Sequence, residues 1–243
     1  MQKNGTFISE SEGKLTIKSE SGTGKLTAKG GKNGAGIGSG YGGSGLHITI
    51  SGGTVTANGG YESAGIGGGR SGEGSYIEIS GGTVTANGGE RGAGIGGGYD
   101  RSGSNITISG GTVTATGGKY SAGIGGGYNR SGSNITISGG TVTATDGKYS
   151  AGIGGGCNGK GSNITIIGGS VKASSIGCIP TNGTKDVYLL TISNPDSKEV
   201  LIDGRSYTPV NHNAIDSTDG NLYAYLPAKT IDDLLEVKSG EKT

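Results

Sequence analysis

The sequence has no tryptophan, a single phenylalanine and a hydrophobic fraction of 30%, so large apolar side chains are scarce. Proline is also rare, with four residues, whereas glycine supplies 58 of the 243 positions. A thick globular core cannot be built from this composition, because glycine loses the most conformational entropy on ordering and buries no side chain. A thin core remains feasible if successive stretches of chain reuse the same few inward positions.

An excess of one charge sign is absent as well, since 20 basic residues stand against 19 acidic ones. The sequence therefore has neither the basic stripe of a nucleic-acid-binding protein nor a polybasic patch for a membrane surface. Its longest apolar run, around Val187 to Ile192, is far too short to cross a bilayer. We expect no nucleic-acid partner and no direct membrane insertion.

The ends of the chain and its two cysteines give weaker indications. MQKNGTFISE contains no apolar signal region, and VKSGEKT follows a strand-like stretch, so we interpret the chain as a piece of a longer protein with flanking domains. Cys157 and Cys178 come near each other if the last repeat is shortened. They are predicted to form either a disulfide or two free thiols.

What the sequence has in abundance is repetition at a spacing of 29 residues. The isoleucine of the AGIG words recurs at this interval over residues 37–153, and the valine of the TVTA words recurs over residues 55–171. The ITI words keep the same spacing over residues 48–164. Five successive repeats without an insertion or deletion indicate a repeat architecture.

Within one repeat the apolar positions alternate, which indicates strands rather than helices. Ile135 and Ile137 share one face of ITIS, and Val142 and Ala144 share a face after a Gly-Gly turn. Three such short strands are stable only if stacked repeats pair each strand with its copy about 4.8 Å away, in parallel and in register. The sequence therefore predicts an all-β fold, a single-stranded parallel β-helix with three short strands per coil, right-handed by the crossover rule.

The predicted domain boundaries follow the decay of the repeat. The β-helix is assigned to residues 1–180, with an irregular N-terminal coil at 1–33 and regular coils at 34–180. Residues 181–243 contain alternating strands and Asp-Gly turns, which predict a small antiparallel β-rich cap or module.

In a β-helix, one repeat position in successive coils forms a column on the surface. The column after AGIGGG contains Tyr41, Arg70, Tyr99, Tyr128 and Cys157. Exposed rings beside charged and amide groups suit a sugar, whose apolar face packs on the ring while its hydroxyls form hydrogen bonds. The alternative is that the tyrosines cover the edge of the core and that arginine and tyrosine stack on each other. The predicted glycan-binding residues are Tyr99, Asp100, Arg101, Tyr128, Asn129, Arg130, Tyr120 and Tyr149.

A second candidate surface is a flat threonine array, with a Thr-x-Thr pair on each of four coils. Such arrays resemble the ice-binding face of β-solenoid antifreeze proteins. The alternative is that threonine is simply a favourable strand residue on a solvent-facing sheet. The array consists of Thr54, Thr56, Thr83, Thr85, Thr112, Thr114, Thr141 and Thr143.

Two further columns have simpler expected roles. Asn105, Asn134 and Asn163 are expected to bond side chain to backbone along a turn, which is a structural role. A strip of outward glycines from Gly36 to Gly152 would let another rod, a crossing segment or a flat polymer approach the backbone, or would reflect tight curvature.

Catalytic and metal-binding residues are scarce. β-Helix hydrolases and lyases use clustered acids or Asp-bound calcium on one sheet face, whereas the acids here fall in different columns. Glu73 and Glu78 are expected to be a solvated pair, His47 and His212 have no partners at ligand spacing, and the loop at 216–221 fits a hairpin turn. We predict no enzyme activity, no catalytic residue, no metal and no cofactor.

The words AGIGGG and ITISGGTVTA, with the closing IDGRSYTPVNHNAIDSTDGNLYAYLPA, resemble the glycine-rich β-helix repeats of Gram-positive cell-surface proteins. Some of those repeats are carbohydrate-binding or adhesin modules. The resemblance covers Gly34 to about Ala173 and implies an extracellular, wall-associated rod whose partner is a polysaccharide or glycan. It supplies no motif for a defined ligand site. The alternatives are a spacer in a multidomain adhesin, an ice-binding face and, last, a polysaccharide lyase or hydrolase.

Overall fold

The computed structural model describes residues 13–19, 22–43, 47–166 and 169–176 in full, and beyond them the backbone of the outer strands named below. The alternation of apolar and polar residues produces three sheets, each of which takes one strand from every coil. The strands of sheet A are Gln2–Lys3, Thr6–Ser11, Lys14–Ser19, His47–Ile50, Gly74–Ile79, Gly103–Ile108, Gly132–Ile137, Gly161–Ile166, Thr181–Asn182 and Lys185–Asp186.

The other two coil sheets are built from the TVTA and AGIG words. The strands of sheet B are Lys25–Lys29, Thr54–Asn58, Thr83–Asn87, Thr112–Thr116, Thr141–Thr145 and Ser170–Ala173. The strands of sheet C are Ile37–Gly38, Ile66–Gly67, Ile95–Gly96, Ile124–Gly125 and Ile153–Gly154.

Neighbouring coils pair in parallel at equivalent repeat positions. In sheet B, Val113 pairs with Val84 on one side and with Val142 on the other. Ile124 pairs with Ile95 and Ile153 in sheet C. The predicted parallel β-helix of about five coils with three strands per turn is therefore confirmed.

The core is a thin column of aliphatic side chains between the three sheets. Each regular coil contributes inward residues from all three strands, and in the coil that contains Ile124 all of them are essentially inaccessible to solvent. Because these residues repeat at the same positions, each layer packs on an identical layer above and below. The inward residues of that coil are Ile106, Ile108, Val113, Ala115, Ala122 and Ile124.

Both ends of the stack depart from the regular register. At the N-terminus, Thr6–Ser11 forms an antiparallel hairpin with Lys14–Ser19, and that second strand joins the first regular coil. At the other end, Ile176 bridges to Ile153 at a spacing shorter than the repeat, as a shortened last coil requires. Farther on, Tyr188–Ser193 pairs antiparallel with Asn221–Leu226, and Val200–Ile202 lies between Arg205–Tyr207 and Val237–Ser239. The boundary at residue 180 stays a prediction.

Candidate functional site

The tyrosines that follow AGIGGG form a stack along the coils. The rings of Tyr99 and Tyr128 are nearly parallel, at 7°, with 5.6 Å between their centroids. The Arg70 guanidinium carbon lies 5.8 Å from the ring centroids of both Tyr41 and Tyr99. Because a residue and its copy are separated by one strand spacing, side chains of this size stack on each other.

A second column runs beside the first and contains residues that the sequence analysis missed. Glu62 and Arg91 occupy the repeat position of Tyr120 and Tyr149 in earlier coils. The rings of Tyr120 and Tyr149 stack at 5.8 Å and 7°, and Tyr120 meets Tyr128 edge-on at 5.6 Å. The 29-residue spacing would have identified these positions, but the change of residue type hid them. We call the two columns together the loop ridge: Tyr41, Arg70, Tyr99, Tyr128, Glu62, Arg91, Tyr120 and Tyr149.

A nearly buried carboxylate connects the two columns of the loop ridge. Glu62 forms ion pairs with Arg70 at 3.0 Å and with Arg91 at 3.2 Å, and its side chain is only 10% exposed. The Arg91 guanidinium carbon also lies 5.3 Å from the Tyr99 ring centroid and 5.5 Å from that of Tyr128. Both arginines are therefore held between an acid and aromatic faces.

The charged and amide residues next to the ridge bond to the coil before them. Arg101 donates from Nε to the Ser71 carbonyl oxygen at 3.0 Å, and Arg130 donates from Nε to the Asp100 carboxylate at 2.9 Å. Asp100 and Asn129 have positive φ angles of 57° and 58°, a conformation that aspartate and asparagine tolerate better than most residues. These side chains therefore stabilise the loop as well as facing solvent.

Hydrogen bonds at the exposed rim of the ridge shift two pKa values. The Tyr61 hydroxyl donates to the Glu90 carboxylate, which with the negative charge of Glu90 raises the pKa of Tyr61. The hydrogen bond between Lys119 and the Tyr120 oxygen raises the pKa of Lys119. The Lys119 Nζ also lies 5.0 Å from the Tyr120 ring centroid. The ridge thus presents ring edges, hydroxyls and cations to solvent, while the faces of Tyr99 and Tyr128 are covered.

The threonine array lies on sheet B in register. In each coil the first threonine of the pair is exposed and the second is half-buried. Thr112 pairs with Thr83 and Thr141, so like side chains follow one another along the sheet. Lys172 takes the place of threonine in the last strand.

The prediction of a bare outward glycine strip is wrong. Gly65, Gly94, Gly123 and Gly152 are all buried. A Cβ atom on Gly123 would lie 2.7 Å from the Gly152 carbonyl oxygen and 2.8 Å from that of Thr145. The backbone at the end of sheet B already occupies the space, so these glycines permit the tight curvature of the coil and offer no surface to a partner.

The outer face of sheet A carries a groove of about 630 Å³. Its floor includes the asparagine column, which forms a ladder between side-chain amides: Asn134 Nδ2 donates to Asn105 Oδ1 at 3.2 Å, and Asn163 Nδ2 donates to Asn134 Oδ1 at 3.0 Å. The expected structural bonds thus run from side chain to side chain rather than to the backbone. The groove is lined by Lys14, His47, Tyr76, Glu78, Asn105 and Asn134, among others.

Comparison with family models gives five matches to the β-helix repeat. They cover residues 21–41, 48–70, 77–99, 106–128 and 135–157. Residues 21–157 form a β-helix repeat module. Comparison with curated proteins and with solved structures gave no match.

Four of the five matched segments, those from residue 48 onwards, run from sheet A, through sheet B and sheet C, to the repeat position of Tyr99, whereas the first begins after its sheet A strand. Each of these four matches therefore contains one full set of inward residues and at least one residue of the loop ridge. The matched repeat identifies the fold.

Among the described residues, no group of three or more acidic, histidine or cysteine side chains is placed to hold a metal ion. Those residues also contain no helix long and apolar enough to span a membrane. Cys178, His212 and the loop at 216–221 lie outside the described residues, so the predicted alternatives for Cys157 and Cys178, a disulfide or two free thiols, stay untested. His47 stacks on Tyr76, with 4.5 Å between centroids and 12° between ring planes.

Proposed function

We propose that the β-helix repeat module is a non-enzymatic, extracellular surface module that binds a polysaccharide or a cell-surface glycan. The observation that carries the proposal is the loop ridge, where aromatic and charged side chains continue over successive coils at one edge of the stack. A repeating polymer can meet such a surface once per sugar unit. Ring edges, tyrosine hydroxyls and the guanidinium groups of Arg101 and Arg130 would bond to its hydroxyl groups.

A glycan array tests this assignment. Wild-type protein is expected to bind, and Tyr99→Ala and Tyr128→Ala are each expected to weaken binding about tenfold, since each removes a hydroxyl and the packing of its neighbour. Thr114→Ala on sheet B is the matched control and should bind like the wild type. Unchanged binding in both tyrosine variants would remove the loop ridge from the proposal.

A structural spacer in a multidomain surface protein is the second candidate. This function is favoured because the side chains of the loop ridge already have partners within the ridge. The residues Tyr99, Tyr128, Arg70 and Arg91 contact one another and Glu62. A spacer would bind no glycan on the same array. A folded, rigid protein that binds no glycan would therefore favour the spacer over the glycan-binding module.

Ice binding is a further candidate that the in-register threonines of sheet B favour. Thermal hysteresis of the wild-type protein, lost in Thr114→Lys, would support it. Hysteresis no larger than that of an unrelated protein at equal concentration would exclude it.

Polysaccharide cleavage is the least favoured function, because the described acids stand in separate columns and Glu62, the most buried of them, is neutralised by two arginines. We expect no release of oligosaccharides from pectin or cellulose. Release that disappears in Glu73→Gln would overturn the non-enzymatic assignment.

A further inference from the structure

The groove of sheet A contains an unusual backbone position that recurs in each coil. Tyr76, Asn105, Asn134 and Asn163 have φ angles of 57°, 52°, 52° and 50°. Each stands between two residues that pair with the next strand while it does not pair itself: Ser75 pairs with Ser104, and the next pair is Ile77 with Ile106. The residue therefore interrupts the ladder at the same place in each of these coils. The side chains of Tyr76, Asn105 and Asn134 line the groove.

Asparagine is the ordinary residue for this conformation, and three coils use it. Tyr76 is the exception, because a bulky side chain with positive φ is strained. Strained residues persist where the surrounding structure holds them, and they concentrate at binding and catalytic sites. Backbone geometry therefore explains the asparagines at this repeat position, but it does not explain the aromatic side chain of Tyr76.

The change from tyrosine to asparagine creates a step in the column. One face of the Tyr76 ring stacks on His47. Asn105, at the same repeat position in the next coil, has a shorter side chain, and Tyr76 remains 53% exposed. In the loop ridge, by contrast, Tyr99 and Tyr128 cover each other. Tyr76 thus offers a free aromatic face at the edge of the groove.

The amide ladder has its open donor end at the same step. Asn105 accepts a hydrogen bond from Asn134, but within the described residues nothing accepts a hydrogen bond from Asn105 Nδ2. This free N–H donor lies one coil away from the free face of the Tyr76 ring. An aromatic face combined with a fixed amide donor can recognise the apolar face and a hydroxyl of one sugar ring.

The negative charge of Glu78, which lies beside Tyr76, restricts the class of sugar that this surface can bind. Glu78 is exposed in the neighbouring column, between Thr49 and Thr107 in the register of sheet A. Among the described residues it forms no ion pair. Its carboxylate can accept hydrogen bonds from sugar hydroxyls but repels the carboxylate of a uronic acid.

We propose that one pyranose unit of a neutral polysaccharide stacks on Tyr76, accepts a hydrogen bond from Asn105 Nδ2 and donates to Glu78, with the polymer continuing along the groove over Asn134. The inference rests on the proposed glycan-binding function and adds a sugar site on sheet A to the loop ridge.

Two variants of the full chain test the assignment without disturbing the coil. Tyr76→Asn gives this coil the residue of its neighbours, which removes the free ring face and supplies an acceptor for Asn105 Nδ2. Asn105→Asp keeps the acceptor for Asn134 and the tolerance of positive φ, but removes the amide donor. Thr114→Ala on sheet B, outside both proposed glycan surfaces, is the matched control. Far-UV circular dichroism establishes that all three are folded.

The probe is an array of neutral hexose, N-acetylhexosamine and uronic acid oligosaccharides. We expect the wild type to bind neutral oligosaccharides, both sheet A variants to bind at least about tenfold more weakly, and Thr114→Ala to bind like the wild type. Wild-type affinity in Tyr76→Asn, or binding to uronic acid oligosaccharides alone, would overturn the inference. Wild-type affinity in both sheet A variants, with weaker binding in Tyr128→Ala, would overturn the inference and leave the proposed function at the loop ridge, whereas no glycan binding by the wild type would remove both.

Discussion

At the scale of single residues, backbone conformation separates Tyr76 from the asparagines that occupy the same position in later coils. All of them have φ near +50° to +60°, but only asparagine adopts it at little cost. The tyrosine gains a stack on His47. This stack is only modestly favourable, because both rings are exposed to solvent. The strain and the stack have opposite effects on the free energy of folding, and we expect the strain to be the larger effect.

Tyr76→Asn is therefore expected to raise the free energy of unfolding by about 1 kcal/mol, as the strain is relieved and the amide ladder gains one bond. Tyr149→Asn is the matched control, because Tyr149 is 51% exposed but has no positive φ. It should lower stability through the loss of its stack on Tyr120. Denaturant unfolding measures both, and a destabilised Tyr76→Asn would contradict the argument from strain.

Glu62 is the residue on which the charges of the loop ridge depend. Glu62→Gln would leave the Arg70 and Arg91 charges without their acid, and we expect a loss of about 2 kcal/mol in the free energy of unfolding. Asp100→Asn is the control, since the pair between Asp100 and Arg130 is about half exposed and should contribute less than about 1 kcal/mol. Equal losses in the two variants would show that burial of Glu62 is unimportant.

At the scale of elements, sheet B shows how a column responds when one member differs. Lys172 continues the threonine column in the last strand, and partial burial lowers the pKa of its ammonium group. The unfolded chain therefore holds this proton more tightly than the folded one. Stability rises as the pH increases from the lowered pKa of the folded state to the ordinary lysine value of about 10.4.

Lys172→Thr removes this desolvation and adds a cross-strand threonine pair, so the free energy of unfolding should increase by about 0.5 kcal/mol at neutral pH. The difference from the wild type should shrink as the pH is raised, because wild-type Lys172 loses its charge. Thr143→Lys, the reverse change one coil earlier, should be destabilising. Unfolding curves recorded between pH 7 and about pH 10 provide the measurement, and a difference that does not vary with pH would count against desolvation as the cause.

The elements also show what sequence spacing could predict. The register of Val113 with Val84 and Val142 followed from the 29-residue interval, because identical residues can stack only at identical positions. Glu62 and Arg91 belong to the second tyrosine column by the same interval. They were not predicted to do so, because the column was defined by its tyrosines and not by the spacing.

Other features depend on distances that spacing does not contain. Gly123 is buried because the end of sheet B approaches sheet C closely. The alternation of residues along the strand predicted instead that this glycine faces outward. The positive φ of Tyr76 had one signal in the sequence, the three asparagines that share its column. The free N–H donor of Asn105 could not be predicted from the sequence, because it depends on the direction in which the amides of the ladder donate to one another.

At the scale of the whole molecule, the stack behaves as a one-dimensional array in which each coil contacts its neighbours. Deletion of Gly103–Ser131 removes one repeat and joins Ser102 to Gly132 in an unchanged sequence context. We expect a folded protein with a β-sheet circular dichroism spectrum and a smaller denaturant m-value, since less surface is exposed on unfolding. Asn134 would then follow Tyr76, so the proposed sugar site should be retained.

Deletion of Gly103–Gly117, about half a repeat, is the corresponding control. It places sheet A residues over sheet C residues and should abolish cooperative unfolding. A stable fold after this out-of-phase deletion would contradict the nearest-neighbour description of the coils.

The uniform repeat length has a consequence for inheritance. Coding sequences for nearly identical words such as SAGIGGGY and SGGTVTAT stand at a constant interval, so misaligned recombination between them inserts or removes whole coils and preserves the reading frame. Every product meets its neighbours with the same faces and can be accommodated without compensating mutations. The length of the rod can therefore vary between descendants while each copy of the chain still folds.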